Sequence, residues 1–354
     1  MPPTLRQVAA AAGVHHTTLS RALRGHPDVS VSRAKELRAL AEKMGYVPDP
    51  MLRALAVYRS GRRPVAFHSV IAYINPTPNP ADARRFKVYR DYVESAERRA
   101  RELGFRLELI PVPNGSGAKR ITSILRARNI TGVIVGPASE GRVSLDMIDW
   151  GDFAAVRLGL SVRFPQLHTI SPERALSMLM IMDELIVRGY RRPGLLLEQR
   201  MDRNVGLQWS AAFMRHQLRL ARKDRLPPHL PEGHVNDGMV DWIKKHRPDA
   251  IIVMGDEKIP PLLRKHGIRV PEDLGLVVLV QPNEGEHMSG ILERSVEIGV
   301  AAVDFVVAMV NRQERGVPAY PQTLLINNAW VDGPTLRPRV SAEVPGGSGG
   351  VPHL

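Results

Sequence analysis

The chain has 354 residues, of which 44% are hydrophobic, carries a formal net charge of +13 and contains no cysteine. This length exceeds the needs of one small helical domain and allows one or two large cores, while the lack of cysteine excludes disulfides and thiolate metal sites. The start MPPTLRQ lacks the apolar run of a secretory signal, and charges interrupt the longest apolar stretches. We therefore expect a soluble cytoplasmic protein.

Residues 4–25, TLRQVAAAAGVHHTTLSRALRG, predict two helices joined by a glycine turn. Thr4 and Gln7 have capping-box spacing, so we expect the first helix to begin at Leu5. Gly13 can turn the chain at positive φ without steric cost. The second helix buries one face and leaves polar side chains free to contact bases and phosphates. These are His16, Thr17, Ser20 and Arg21.

A third helix is predicted between Ser30, a good N-cap, and Gly45, a common C-terminal stop. Its apolar residues recur at helical spacing, as Leu37, Leu40, Ala41 and Met44. Three short helices around one small core follow from this pattern.

Basic residues are concentrated in the same region, because residues 1–64 hold 11 Lys or Arg side chains and only four acids. Such a segment attracts phosphate with salt-dependent affinity. A basic run is often only a solvated face, but here it coincides with the polar face of the second helix. We therefore predict double-stranded DNA as a partner.

The dipeptide Asp49-Pro50 predicts the start of another short helix, from Met51 to Val57, because Asp is a good N-cap and Pro suits the first helical turn. Two turns are too few to hold a helix in water, since nucleation costs more than they return. We expect this helix to fold only against a partner.

The opening of the chain resembles that of the lactose-repressor (LacI/GalR) family of bacterial transcription regulators. The order and spacing of VAAAAGVHHTTLSRALRG, VS from Val29, and AEKMGYVPDPMLRALA carry the resemblance. It implies that His16, Thr17 and Arg21 read bases. It also implies that five further residues pack the small core or contact phosphates, namely Leu5, Thr18, Ser20, Arg24 and Tyr46.

The resemblance also gives the short helix a role. In this family two hinge helices, one from each protomer, lie side by side in the minor groove, and Leu52 and Leu55 fall on that helix here. Leu55 matches the leucine that wedges into the central base step and bends the duplex. The alternative is that Leu55 only packs against the partner helix.

From Val65 onward, short apolar strands alternate with helices, which favours doubly wound parallel sheets, and more than one sheet is needed for this many units. The family likeness implies an α/β body of two periplasmic-binding-protein-like lobes with a small-molecule cleft between them. The expected divisions are a helix-turn-helix domain over 1–48, a hinge and linker over 49–64, an effector-binding and dimerisation domain over 65–338, and a disordered tail over 339–354. Within the body we expect an N lobe at about 65–165 plus 291–325 and a C lobe at about 166–290 plus 326–338.

Ligands of open α/β sheets bind beyond the carboxyl ends of the strands. That rule nominates Asn75, Ser139, Ser171, Asp256 and Gln281 as effector-binding residues. The family commonly carries a ligand-contacting arginine on the helix after the PGLLL strand, and Trp209 stands in the corresponding stretch. We expect Trp209 to stack on a flat ligand or a sugar ring, the alternative being a core tryptophan.

The leading hypothesis is an effector-controlled transcription regulator that binds a palindromic operator as a homodimer in the bacterial cytoplasm and nucleoid, with a sugar or sugar derivative as effector. The alternative is a constitutive architectural DNA binder whose α/β half only dimerises. A solute-binding protein of the periplasm is disfavoured by the DNA-binding start. No P-loop or H-E-x-x-H pattern occurs, and acid and histidine pairs such as Asp256-Glu257 lack partners at motif spacing. We expect no catalysis, no cofactor and no metal.

Overall fold

The protein was analysed as a computed structural model, which describes residues 3–23, 28–46, 69–76, 86–112, 118–138, 143–236, 238–281 and 288–339. The chain divides into two compact units, with the main boundary between residues 68 and 69. We call them the head and the body. The predicted hinge helix, including Leu52 and Leu55, lies outside the described residues, as do Arg24 and Ser139.

The head consists of three helices: α1 (Leu5–Ala11), α2 (His16–Leu23) and α3 (Val31–Lys43). The predicted capping box is present, since the Thr4 hydroxyl accepts from the Gln7 amide and the Gln7 side chain accepts from the Thr4 amide. Ser30 caps α3 by accepting from Arg33 N. Apolar side chains from all three helices form one core. Its buried members are Val8, Ala9, Leu19, Ala22, Ala34, Leu37 and Ala41.

The body contains two main sheets, as the sequence predicted. The six-stranded first sheet has the order β12-β7-β5-β3-β1-β2. Its strands are β1 (Ser69–Asn75), β2 (Phe105–Pro111), β3 (Gly132–Val135), β5 (Ala154–Leu158), β7 (His168–Pro172) and β12 (Thr323–Ile326). Strands β1, β3, β5, β7 and β12 pair in parallel. A separate two-stranded sheet is formed by β4 (Val143–Ser144) and β6 (Val162–Phe164).

The second sheet has the order β13-β11-β10-β9-β8. Its strands are β8 (Pro193–Leu196), β9 (Ala250–Val253), β10 (Gly275–Val278), β11 (Gly290–Leu292) and β13 (Ala329–Val331). All neighbours pair in parallel except β11 and β13, which are antiparallel. We refer to the part of the body built on the first sheet as the N lobe and to the part built on the second as the C lobe.

Helices connect the strands of both lobes. Those of the N lobe are α4 (Lys87–Glu102), α5 (Ala118–Ala127) and α11 (Ser295–Arg312), and those of the C lobe are α6 (Arg174–Val187), α7 (Gln199–Asn204), α8 (Gln208–Gln217), α9 (Met239–His246) and α10 (Ile259–Lys265). Helix α11 packs across β3, β5 and β7. Within the described residues, no helix is both long and apolar enough to traverse a lipid bilayer.

The chain passes between the two sheets three times, from β7 to α6, from β11 to α11 and from β12 to β13. The first passage lies after Pro172, later than the boundary expected near residue 165, because β7 inserts between β5 and β12 of the first sheet. The other two passages lie between Leu292 and Ser295 and between Ile326 and Ala329. Of the tail expected over 339–354, Arg339 is described, and its guanidinium pairs with Glu184 at 2.8 Å.

Candidate functional site

Helix α2 starts immediately after a tight turn in the head. Gly13 adopts φ +64°, as the turn requires, and Val14 N donates to Ala9 O at 3.0 Å. His15 directly precedes the helix, and its carbonyl accepts from Thr18 N at 2.9 Å. The His15 ring nitrogen Nδ1 lies 2.8 Å from Thr17 Oγ1. This geometry fixes which face of α2 is buried.

The outward face of α2 carries the predicted base-reading residues. Thr17 and Arg21 are exposed and His16 is half-buried, while Leu19 and Ala22 fill the core on the opposite face. Arg21 Nη1 lies 3.2 Å from Asp28 Oδ2, and both side chains are about half exposed, at 51% and 55%. The guanidinium is thus held by an acid that competes with any nucleic acid for it.

The residues expected to contact phosphates occupy mixed environments. Leu5 and Tyr46 pack against the head core, and Thr18 and Ser20 are half-buried on α2. The rings of His15 and His16, with centroids 4.1 Å apart and planes tilted by 47°, suit a metal only with a third ligand. No group of three such ligand side chains occurs within the described ranges.

The nominated effector residues occupy the carboxyl ends of strands in both lobes, but contacts do not gather them into one site. Asn75 and Ser171 are buried at the ends of β1 and β7. Asp256 accepts from Lys258 N at 2.9 Å, which is a local turn bond. Gln281 Nε2 donates to Met288 O at 2.8 Å. Among the described residues, no hydrogen bond joins Ser171, Asp256 and Gln281.

Trp209 does not line the cleft as the sequence suggested. It is 2% exposed and belongs to the apolar core of the C lobe, with Met178 of α6 and Phe213 of α8. An indole enclosed on both faces has none left to stack on a ligand, so the structure favours the core alternative. The neighbouring Gln208, the first residue of α8, faces Arg174 instead, with Arg174 Nη1 3.4 Å from Gln208 Oε1.

The structure brings together a polar group that the sequence interpretation missed. We call it the cleft cluster: Tyr89, Tyr92, Arg174, Arg200 and Glu293. Tyr89 and Tyr92 come from α4 of the N lobe, whereas Arg174 and Arg200 come from the C lobe. Glu293 lies in the passage from β11 to α11, and the Tyr92 hydroxyl donates to its Oε1. Arg174 Nη1 donates to Ser171 Oγ at 2.9 Å.

Electrostatics within the cleft cluster follow from burial and charge. Burial, with Glu293 as the second cause, raises the pKa of Tyr89 to about 12, and both Arg174 and Arg200 act in the opposite direction. Burial also raises the pKa of Tyr92. The pKa of Glu293 is raised by burial, although Arg174 and the bond from Tyr92 oppose the shift. Tyr89 therefore interacts electrostatically with the guanidinium groups of both Arg174 and Arg200.

Close packing of α4 on α11 positions the cluster. A Cβ at Gly299 would lie 2.1 Å from Ser95 Oγ, so only glycine permits this approach. One turn earlier, Ser295 Oγ donates to Asp91 Oδ2 at 2.6 Å, and Lys87 Nζ lies 2.8 Å from the same oxygen. The helices are thereby fixed with Tyr92 against Glu293.

Sequence reasoning missed the cluster because it did not recognise two strands. Arg174 follows β7, HTISP, and Glu293 follows β11, GIL, and neither segment has a long apolar run. One pattern was available: Phe86, Tyr89 and Tyr92 recur every three residues at the start of the helix after the first strand. A helix that follows a strand begins near the carboxyl end of that strand, where ligands of open α/β sheets bind. Aromatic residues at the start of such a helix therefore indicate a ligand site.

A depression of about 720 Å³ lies elsewhere on the N lobe. Asp146, Trp150, Phe164 and Val317 are among its lining residues. They precede β5, adjoin β6 or follow α11, so the depression is at the amino ends of the strands. None of the nominated residues and no member of the cleft cluster belongs to it.

Family comparisons match both units. The model for bacterial regulatory proteins of the lacI family matches residues 4–49, and that for the periplasmic binding protein-like domain matches residues 182–333. Several curated relatives are described as HTH-type transcriptional regulators. GntR of Pseudomonas aeruginosa is 48% identical over 58 residues, 16% of this chain and 17% of that protein. IpsA of Corynebacterium glutamicum is 26% identical over 203 residues, 56% of this chain and 53% of that protein.

These two alignments therefore span between about a sixth and a half of the relatives' own lengths. KdgR of Bacillus subtilis aligns more fully, at 21% identity over 346 residues, 91% of this chain and 94% of that protein.

Solved structures share the fold. A lac repressor dimer bound to operator and the anti-inducer ONPF has a TM-score of 0.57 at 18% identity, covering 96% of this chain and 100% of that one. A complex of the transcriptional regulator CelR with cellobiose has a TM-score of 0.55 at 18% identity, covering 94% of this chain and 99% of that one. With a head that matches the lacI family model and a body of two mainly parallel sheets that matches the periplasmic binding protein-like model, the chain resembles the LacI/GalR family of bacterial regulatory proteins in both units.

Proposed function

We propose that this protein is a sequence-specific DNA-binding transcription regulator controlled by a small molecule. The observation that carries the proposal is the two-sided helix α2, with Leu19 and Ala22 in the head core and Thr17 and Arg21 exposed on the other side. A helix of this kind after a glycine turn is the element that enters the major groove in helix-turn-helix proteins. The match of the head to the lacI family model, together with curated relatives described as transcriptional regulators, supports this proposal.

In the proposed complex, His16, Thr17 and Arg21 contact base edges. Thr18, Ser20, Arg24 and the first residues of α1 lie against phosphates. Leu52 and Leu55 of the hinge segment enter the minor groove. Two copies of the chain bind one palindromic operator, because a two-fold pair of heads matches a two-fold DNA site. We place this activity in the cytoplasm, where the operator DNA is found.

The body supplies control. Its two lobes meet at a cluster of charged and aromatic side chains, which a domain that only dimerises does not need. The relative CelR was solved with cellobiose, so we propose a carbohydrate effector between the lobes here too. Ligand affinity and operator affinity are then coupled by the same factor in both directions. The constitutive architectural alternative is not favoured.

Selection from a random pool of duplex DNA with the full-length chain tests this function. We expect enrichment of one inverted repeat, and sedimentation of the complex with two chains per duplex. The Arg21→Ala variant serves as the control, because it should fail to enrich that repeat. A pool that stays random after repeated rounds with the wild-type chain would refute sequence-specific binding.

A further inference from the structure

We propose that the inter-lobe cleft takes a sugar acid, a carbohydrate whose carboxylate is bound by Arg174 while its ring lies against the aromatic side chains of α4. This inference rests on the proposed function and specifies the effector class. It is carried by the contacts of Arg174 and by the row of aromatic side chains at the start of α4 and just before it.

Arg174 is held by neutral acceptors alone. Its Nη1 donates to Ser171 Oγ at 2.9 Å and lies 3.4 Å from both Pro172 O and Gln208 Oε1. Within the part of the chain that the structure describes, no carboxylate lies within 4.0 Å of its guanidinium. Its Nη2 and Nε have no protein acceptor there either. A fixed guanidinium with two free donors presents the fork that a carboxylate fits in bidentate fashion.

A second guanidinium of the C lobe has a carboxylate partner. Arg200 is 44% exposed, and its Nη2 lies 3.2 Å from Glu198 Oε2. Glu198 is shared, because His234 Nδ1 lies 3.1 Å from its other oxygen. Arg174 and Arg200 both oppose the rise that burial causes in the pKa of Tyr89. Among the described residues, Arg174 therefore differs from Arg200 in having no carboxylate within 4.0 Å.

Two acids close in the chain or in space to Arg174 have other partners. Glu173 caps α6, with its Oε1 accepting from Ala175 N at 2.8 Å and from Leu176 N at 3.0 Å. Glu293 accepts from the Tyr92 hydroxyl, and burial raises its pKa. The carboxyl group of Glu293 can in addition bond a sugar hydroxyl.

Three aromatic rings of the N lobe lie side by side at the start of α4 and just before it. Phe86 and Tyr89 meet edge to face, with ring centroids 5.6 Å apart and an interplanar angle of 82°. Tyr89 and Tyr92 follow at 6.3 Å and 27°. Phe86 is 42% exposed, so part of its ring faces solvent. Rings of this kind cover the apolar face of a pyranose, whereas Arg174 selects for charge.

Calorimetric titration of the full-length chain tests the inference with matched pairs of probes. D-galacturonate is compared with D-galactose, and D-glucuronate with D-glucose, because the members of each pair differ only in a carboxylate in place of a hydroxymethyl group. We expect at least one acid to bind about tenfold more tightly than its neutral partner, as a charge-assisted bidentate contact implies.

Three variants locate the contact. Arg174→Gln should lower affinity for the bound acid about tenfold and change affinity for the neutral partner less than about twofold. Arg174→Lys should recover part of the loss, because it restores the charge without the fork. Arg269→Gln is the control: it removes an equal charge from a side chain 71% exposed and paired with Asp273, and should change neither affinity. Circular dichroism verifies that each variant is folded.

The outcomes separate this inference from the proposed function. Equal binding of acid and neutral sugar, equal losses for both in Arg174→Gln, or no binding of either acid up to about 10 mM would overturn the sugar-acid class. None of these results depends on DNA. If the DNA selection failed while a sugar acid still bound, the proposed DNA-binding function would be refuted. The proposed ligand class of the cleft would be unaffected.

Discussion

In the proposed complex, Arg21 of α2 contacts a base edge. Its contact with Asp28 joins two half-exposed side chains, so it contributes little to stability and can be exchanged for a base edge. We predict that Arg21→Ala lowers affinity for the selected operator by about 1–3 kcal/mol and leaves affinity for random duplex nearly unchanged. Fluorescence anisotropy with both duplexes at one salt concentration measures the two effects.

Arg33 provides the matched control for this experiment. It lies on α3, is 48% exposed and pairs with Glu36 at 2.8 Å, so it has no place on the base-reading face. Arg33→Ala should weaken operator and random duplex to the same small extent. If Arg21→Ala behaved in the same way, Arg21 would be a phosphate contact.

Trp209 tests the core of the C lobe. Because the indole is 2% exposed among Met178, Phe213 and other apolar side chains, Trp209→Ala leaves a cavity and should cost about 3–5 kcal/mol of folding free energy. Thermal unfolding followed by circular dichroism measures the loss. A variant with unchanged stability and abolished ligand binding would instead show that Trp209 contacts the ligand.

At the scale of elements, Asn328 ties together the three segments that pass between the lobes. Its Oδ1 accepts from Arg294 N at 3.3 Å, and its Nδ2 donates to Ser177 Oγ at 3.0 Å and lies 3.4 Å from Glu173 O. One side chain thus joins the passages after β7, β11 and β12. Its position suits a residue that sets how the lobes close.

We predict that Asn328→Ala lowers the free energy of unfolding by about 1–2 kcal/mol, because donors and acceptors in the passages lose their partner. It should also reduce the factor by which a bound ligand changes operator affinity, since the lobes are then less firmly coupled. Operator titrations with and without ligand measure that factor. An unchanged factor in a destabilised variant would limit Asn328 to a structural role.

At the scale of the whole molecule, Glu293 makes stability depend on pH. Burial raises its pKa in the folded protein above the value of 4.5 expected in the unfolded chain. The folded state therefore holds the proton to higher pH, and its free energy of unfolding falls as the pH rises from 4.5 through the raised value. Above that value the loss is complete and constant.

Glu293→Gln removes this titration and keeps an acceptor for Tyr92. We predict that the melting temperature of the variant, minus that of the wild type, increases as the pH rises above about 4.5. Facing groups that also titrate or carry charge, Asp91, Tyr92 and Arg174, are present in both proteins, so the difference isolates Glu293. A difference that decreases with pH would mean that the carboxylate is stabilised by Arg174 more than it is destabilised by burial.

Local chemistry in the sequence determined the head almost completely. The capping box at Thr4, the turn at Gly13 and the apolar spacing of Leu19 and Ala22 act over a few residues, so each can be recognised without knowing the rest of the chain. The same holds for the strands with continuous apolar runs, such as β3 and β9, and for the division of the body into more than one sheet. These features depend on propensity and periodicity, which a sequence displays directly.

The cleft was decided by tertiary structure. Arg174 and Glu293 are 119 positions apart, and the passages that carry them are held together by Asn328, which bonds Glu173 O and Arg294 N. Neither β7 nor β11 has the long apolar run by which a buried strand is recognised in a sequence. Each is stabilised by pairing with a neighbouring strand on both sides. Trp209 illustrates the converse: its position on a helix was predicted, but burial against α6 depends on how two helices pack. Contacts between distant segments are fixed by that packing, which local sequence patterns do not encode.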